Sequence, residues 1–213
     1  MEATTFSCVI LARILAIMLV VRGVATQPGN NQEHVATRVL HLCKPNHICA
    51  EVGVWKGEFT KEILTRHPKK LYLIDPWMYQ TDFPGRWFSG KVAKSQADMD
   101  AIADSVVKKY GRHANVEVVR KKSEEAFKQF EDGFFDWIYI DGNHEYAPTL
   151  QDLRDAYRTV KPGGYVTGDD YMWGNSSQFH TVKAAVQDFV NEMKLPPPEL
   201  HEVGGWQFVI KRI

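Results

Sequence analysis

From residue 34 to the C-terminus, short apolar runs alternate with stretches of helical period, and that alternation limits what the chain can fold into. A strand covered on both faces reads as a continuous apolar run, whereas a helix resting on such a sheet keeps a single apolar stripe. "HVATRVLHLC" reads as a lead-in helix and "HICAEVGV" as a strand. "GEFTKEILTRH" is a helix with Phe59, Ile63 and Leu64 on one face, stopped by Pro68, and "KLYLID" is a second strand ending at Asp75. "NVEVVR", "FDWIYID" and "GGYVTGDD" follow as strands, the last after a turn at Lys161-Pro162-Gly163-Gly164. Helices are expected at "ADMDAIADSVVKKYG", "SEEAFKQF", "TLQDLRDAYRTV" and "TVKAAVQDFVNEM". "ELHEV" and "WQFVIKR" flank Gly204-Gly205, as the arms of an antiparallel hairpin would. The fold class is therefore α/β, a doubly wound and mostly parallel sheet of seven strands with a C-terminal antiparallel hairpin.

Open parallel sheets bind ligands beyond the carboxyl ends of their strands, and the polar residues collect at those ends: Glu51, Gly53, Asp75, Asp141, Asp169 and Asp170. Gly53 lets the chain turn sharply off the first strand, and Gly57 would let the backbone approach a ligand where the helix begins. The spacing Glu51-x-Gly53-x-x-x-Gly57 departs from the three-glycine dinucleotide fingerprint. An acid at its start would repel a diphosphate but suits the ammonium of an amino-acid moiety. A structural strand-to-helix turn is the plainer reading of the same glycines.

Asp75 lies 22 positions beyond Gly53, close to where doubly wound nucleotide folds place a carboxylate on the ribose hydroxyls. Ser123 suits either an adenine edge or a helix N-cap. Asp141, Asp169 and Asp170 fall at two neighbouring strand tips, where clustered acids repel unless a hard cation such as Mg²⁺ neutralises them. His144 beside them suits a general base or a further ligand. The loop from Trp77 to Phe88 is crowded with aromatics and reads either as a substrate-facing lid or as a packed insertion.

At 213 residues and zero formal net charge, with Lys and Arg scattered, the chain fits one globular domain and gives no reason to expect nucleic acid as a partner. Within residues 1–25, the run "FSCVILARILAIMLVVRGVA" is apolar apart from Arg13 and Arg22 and ends in small residues, the pattern of a signal, targeting or anchoring segment. That segment is the one expected membrane contact, and the compartment is the secretory pathway, a membrane anchorage or an organelle. Residues 26–33 read as a linker and 34–213 as the domain. Cys43 and Cys49 would pair only in an oxidising lumen, and the burial expected for Cys49 favours a free thiol.

With these residues in view, the chain resembles the class I S-adenosylmethionine-dependent methyltransferases, specifically the family of the macrocin-type O-methyltransferases. The segments that carry the resemblance are "AEVGVWKGEFTKEIL", "LYLIDPW", "VVRKKSEEAF", "FDWIYIDGNHEYAPTLQDL", "VKPGGYVTGDDY" and "VKAAVQDF". The resemblance implies a Rossmann-like fold. It implies that Glu51, Gly53 and Gly57 surround the methionine part of S-adenosylmethionine, that Asp75 holds the ribose, and that Ser123 lies near the adenine. It also brings Asp141 to the cofactor, and implies Mg²⁺ on Asp141, Asp169 and Asp170, where a small hydroxylated acceptor would lose its proton. Asn143 stands where some metal-dependent relatives carry an acidic base, so His144 and Asp141 are the catalytic candidates. Two other readings remain at this point: a nicotinamide-dependent oxidoreductase on the same sheet, and a non-catalytic cofactor-binding module. Oligomer formation is open.

Overall fold

The computed structural model describes residues 35–173, 181–201 and 206–213. The segment 1–25, the linker and the Gly204-Gly205 turn lie outside the described residues. Among the described residues, no helix is long and apolar enough to cross a membrane.

The lead-in segment Val35–Leu42 is a 3₁₀ helix. The strands are β1 (Ile48–Val52), β2 (Lys70–Ile74), β3 (Val116–Val119), β4 (Phe135–Ile140), β5 (Val160–Gly168), β6 (Glu199–His201) and β7 (Gln207–Lys211). The helices are α1 (Glu58–Leu64), α2 (Gln96–Tyr110), α3 (Ser123–Ala126), α4 (Tyr146–Thr159) and α5 (Thr181–Glu192). The sheet runs in the order β3-β2-β1-β4-β5-β7-β6. β1 to β5 are parallel, and β7 pairs antiparallel with both β5 and β6. This is the seven-stranded, doubly wound architecture expected from the sequence.

The apolar runs explain themselves through a period of two. On β4, Ile138 and Ile140 enter one core with Leu153, Ala156 and Phe189, while Trp137 and Tyr139 enter the other with Phe59, Ile63 and Met99. On β1, Ala50 and Val52 belong to the first core and Cys49 to the second. Both faces of these central strands are therefore covered, and they carry little polar patterning.

Two boundaries differ from expectation. Lys161 to Gly164 do not end before β5 but are absorbed into it as a bulge, with Phe135 opposite Val160 and Trp137 opposite Tyr165. The stretch "SEEAFKQF" makes only the single turn of α3 followed by a 3₁₀ turn at Phe127–Gln129.

Candidate active site

The chain reversal at the centre of the sheet, between β1 and β4, brings the expected acids to one edge in two groups. The first group lies at the tips of β1 and β2. Glu51 is fully buried and its Oε2 accepts a hydrogen bond from the Thr60 hydroxyl of α1 at 2.6 Å. Burial pushes its carboxyl up to about 8, an effect that the Thr60 bond offsets only in part. At neutral pH it is uncharged, and it would ionise on meeting an ammonium.

Asp75 stitches two turns together. Its Oδ2 accepts from the backbone amides of Val54 and Trp55, both at 2.9 Å, and its Oδ1 accepts from that of Trp77 at 2.7 Å. Burial raises its pKa despite these bonds and the nearby Arg120 guanidinium. Since each carboxylate oxygen has two lone pairs, Oδ1 keeps the capacity to accept one further hydrogen bond. Beside it, a cleft of about 250 Å³ opens between the tips of β2 and β3, lined by Pro76, Trp77, Met78, Gln96, Arg120 and Lys122 among others.

Gly53 has φ +87°, and a Cβ there would fall 2.0 Å from the carbonyl oxygen of Asp141. The tips of β1 and β4 touch at this point because the residue has no side chain. Gly57 departs from expectation. Its φ is +70° and a Cβ would strike the Tyr110 ring at 2.6 Å, so its close approach is to α2, whose Tyr110 hydroxyl also donates to the Gly57 carbonyl. Ser123 is not an N-cap either: it is the first residue of α3, and its hydroxyl bonds the buried Asp152 carboxyl of α4. Burial pushes Asp152 up to about 7, partly offset by that bond.

The second group lies at the tips of β4 and β5. Asp141, His144 and Asp170 bring one ligand atom each to within 4.8 Å of one another. His144 Nε2 stands 3.7 Å from Asp141 Oδ1 and 3.5 Å from Asp170 Oδ2. Loss of solvent, helped by the Arg86 charge, lowers the His144 pKa to about 4, so the imidazole is neutral at physiological pH. Removal from solvent and the charges of Asp169 and Asp170 raise Asp141 well above the usual carboxylate range. Removal from solvent and the Asp169 charge bring Asp170 to about 6, against the pull of Arg86.

Asp169 departs from the expected trio. Its Oδ2 accepts from the Tyr139 hydroxyl at 3.0 Å, its Oδ1 accepts from the Asp170 amide at 2.8 Å, and Gln207 of β7 donates to Tyr139. Asp170 adopts the left-handed conformation, with φ +55°, which turns the two consecutive carboxylates in different directions. Only Asp170 therefore joins Asp141 and His144.

Asn143 shapes the loop after β4: its Oδ1 accepts from the Glu145 amide at 2.9 Å, and its carbonyl accepts from the Thr149 hydroxyl. The aromatic loop divides. Trp77 is fully buried, with its indole N–H on the Trp55 carbonyl, so that residue is core. Trp87 is 53% exposed and tilts against Trp55, and Phe83 packs edge-on against Phe88. Arg86 reaches from this loop to Glu145 at 2.6 Å and lies 4.8 Å over Trp173, whose ring packs against His144. Arg86, Glu145, Tyr139, Trp173 and Gln207 were not among the expected site residues. Tyr139 and Glu145 lie within the quoted segment around Asp141, but nothing local singles them out. Arg86, Trp173 and Gln207 lie in none of the segments that carry the resemblance. Each enters through contacts between distant segments.

A family described as a methyltransferase domain matches residues 50–171, the span from β1 through the acidic tip of β5. The chain belongs to that family. Among solved structures, it is similar to an S-adenosylmethionine-dependent methyltransferase from Aquifex aeolicus, at 18% identity and a TM-score of 0.55 over 83% of this chain and 87% of that one. It is also similar to a precorrin 8W decarboxylase from Methanobacterium thermoautotrophicum, at 16% identity and TM-score 0.53 over 85% and 90% of the two chains. A spermidine synthase from Thermotoga maritima matches at 16% identity and TM-score 0.53, over 81% of this chain and 55% of that one. An uncharacterized protein of Acanthamoeba polyphaga mimivirus is 43% identical over 37 residues, which is 17% of the length of either protein. At such identities the solved structures share the fold, and their names span more than one chemistry. Family and architecture together make the methyltransferase a class I enzyme that uses S-adenosylmethionine, and the nicotinamide reading is set aside.

Proposed function

We propose that this methyltransferase transfers the methyl group to the hydroxyl of a small acceptor with the help of a divalent cation. The observation that supports it is the trio Asp141, His144 and Asp170, converging within 4.8 Å at the tips of two neighbouring strands. Two carboxyl oxygens and a neutral imidazole nitrogen form a donor set that suits a borderline or hard divalent ion such as Mg²⁺ or Mn²⁺. Such an ion, when bound, would lower the pKa of the acceptor hydroxyl and orient it.

The rest is the work of the chain's own groups. Glu51 takes the cofactor's ammonium, Asp75 takes a ribose hydroxyl on Oδ1, and the cleft beside Pro76 and Arg120 takes the base. Gly53 lets the methionine end pass close to the β4 tip. Trp87, Trp173 and Arg86 form the acceptor side, and Asp169 holds the tip of β5 through Tyr139. The sulfonium methyl is already activated, so positioning an oxygen against it in line supplies most of what the reaction needs.

A second reading rests on the neutrality of His144: in a transfer without metal, Nε2 takes the hydroxyl proton itself. The test is calorimetric titration of S-adenosylhomocysteine in Mg²⁺ and in EDTA, with a separate Mg²⁺ titration of wild type and Asp141→Asn. Micromolar cofactor binding and a Mg²⁺ signal lost in Asp141→Asn support the metal-assisted reaction. Cofactor binding with no Mg²⁺ signal selects the His144 reading. Absence of cofactor binding removes both, and leaves the non-catalytic module without its cofactor as well.

A further inference from the structure

On the face of the sheet that carries α1, two sulfur atoms meet outside the crevice. Cys43 follows the lead-in 3₁₀ helix, Cys49 sits within β1, and both are completely buried. Their Sγ atoms are 3.2 Å apart, and both thiols are free. The segment between them is a tight turn: the His47 amide donates to the Lys44 carbonyl, the Lys44 amide donates to His47 Nδ1, and Asn46 holds φ +66°. Arg66 donates to the Cys43 carbonyl at 3.1 Å and the Asn46 amide to the His67 carbonyl at 3.0 Å, so α1's C-terminal end fixes the turn against β1. A disulfide places its sulfurs about 2.05 Å apart, so closing this pair takes about 1 Å of movement between side chains that already face each other.

We propose that Cys43 and Cys49 form an intramolecular disulfide when the chain folds under oxidising conditions, a staple that ties the lead-in segment to β1 two residues before Glu51. With glutathione disulfide as oxidant, the two thiols lose two electrons and two protons, one sulfur–sulfur bond forms in the protein, and two molecules of glutathione are released. The hydrogen bond with Cys43 and burial raise the Cys49 thiol far above its ordinary range, so thiolate exchange is suppressed once the core has closed. The bond therefore forms during folding, and the folded protein keeps whichever state it was made in. Neither cysteine is among the residues assigned to the cofactor or the cation, so the staple does not depend on the transfer chemistry.

The test makes the full chain by cell-free synthesis in oxidised and in reduced glutathione buffers, then denatures it in iodoacetamide without reductant and maps its three cysteines by mass spectrometry. The expected result is a peptide pair joined through Cys43 and Cys49 in the oxidised sample, and alkylated Cys43 and Cys49 in the reduced one. The oxidised protein should also melt about 5 °C higher. Alkylated Cys43 and Cys49 in both samples, or a bond from either to Cys8, overturns the proposal. Cys43→Ser should abolish the difference in melting between the buffers, and a difference that survives in Cys43→Ser also overturns it.

Discussion

The two ends of the crevice are both acidic, yet they treat their carboxylates in opposite ways. At the tips of β1 and β2, Glu51 and Asp75 are bonded by the Thr60 hydroxyl and three backbone amides. There the acids are part of the architecture, and a ligand meets what bonding capacity is left. At the tips of β4 and β5, Asp141 and Asp170 face each other across a neutral imidazole, at 3.7 and 3.5 Å from its Nε2. Like charges that Arg86 offsets only in part cost stability. The first end is stiff as it stands, and the second, on the proposed reading, would be completed by a cation.

The largest way to break this contrast is Asp75→Ala, which strands three backbone amide donors, two of them buried and that of Trp55 partly buried. Thermal melting should fall by the equivalent of about 2–5 kcal/mol, with loss of measurable S-adenosylhomocysteine binding by calorimetry. Asp141→Asn should do the reverse in the absence of metal, raising the melting temperature by the equivalent of about 1 kcal/mol through relief of repulsion while Mg²⁺ binding disappears. If both substitutions destabilise alike, the distinction between the two ends fails.

Asp152 sharpens the contrast through pH. Its folded pKa of about 7 lies above the ordinary carboxylate value, so the folded state holds the proton more tightly than the unfolded state between those two values. The stabilisation is fully present below about pH 4 and is lost as pH rises towards 7. Asp152→Asn should therefore flatten that decline and leave the protein more stable than wild type at about pH 8 by about 1–4 kcal/mol, read from melts across the range. The smallest effect is expected of Arg86→Gln, whose ion pair with Glu145 is partly exposed. Global stability should change by less than about 1 kcal/mol, while hydrogen exchange of residues 80–93 quickens several-fold.

How much of this was legible in the sequence follows from the range of the interactions. The apolar runs of the central strands are buried on both faces, so those strands could be read from a local window, and the acids at strand tips are a direct consequence of where runs end. What the carboxylates do there is not local. Asp169 and Asp170 are adjacent and chemically identical, and their separation depends on a left-handed residue and on Tyr139 and Gln207 arriving from β4 and β7. Gly57 reads as a ligand cradle until Tyr110 packs on it from 53 residues away. Arg86 could not be distinguished from any other loop arginine until Glu145 and Trp173 met it.

The contact between Gly53 and the carbonyl of Asp141 has a further consequence. The turn that would receive the methionine end of the cofactor and the loop that would carry the metal's first ligand are in backbone contact here, where the Asp141 amide also donates to the Val52 carbonyl at 2.7 Å. A ligand seated at either end restrains the other, so cofactor and cation should bind with positive cooperativity. The enzyme would then load its two helpers as a pair, because two peptide units meet where a methyl group would otherwise stand.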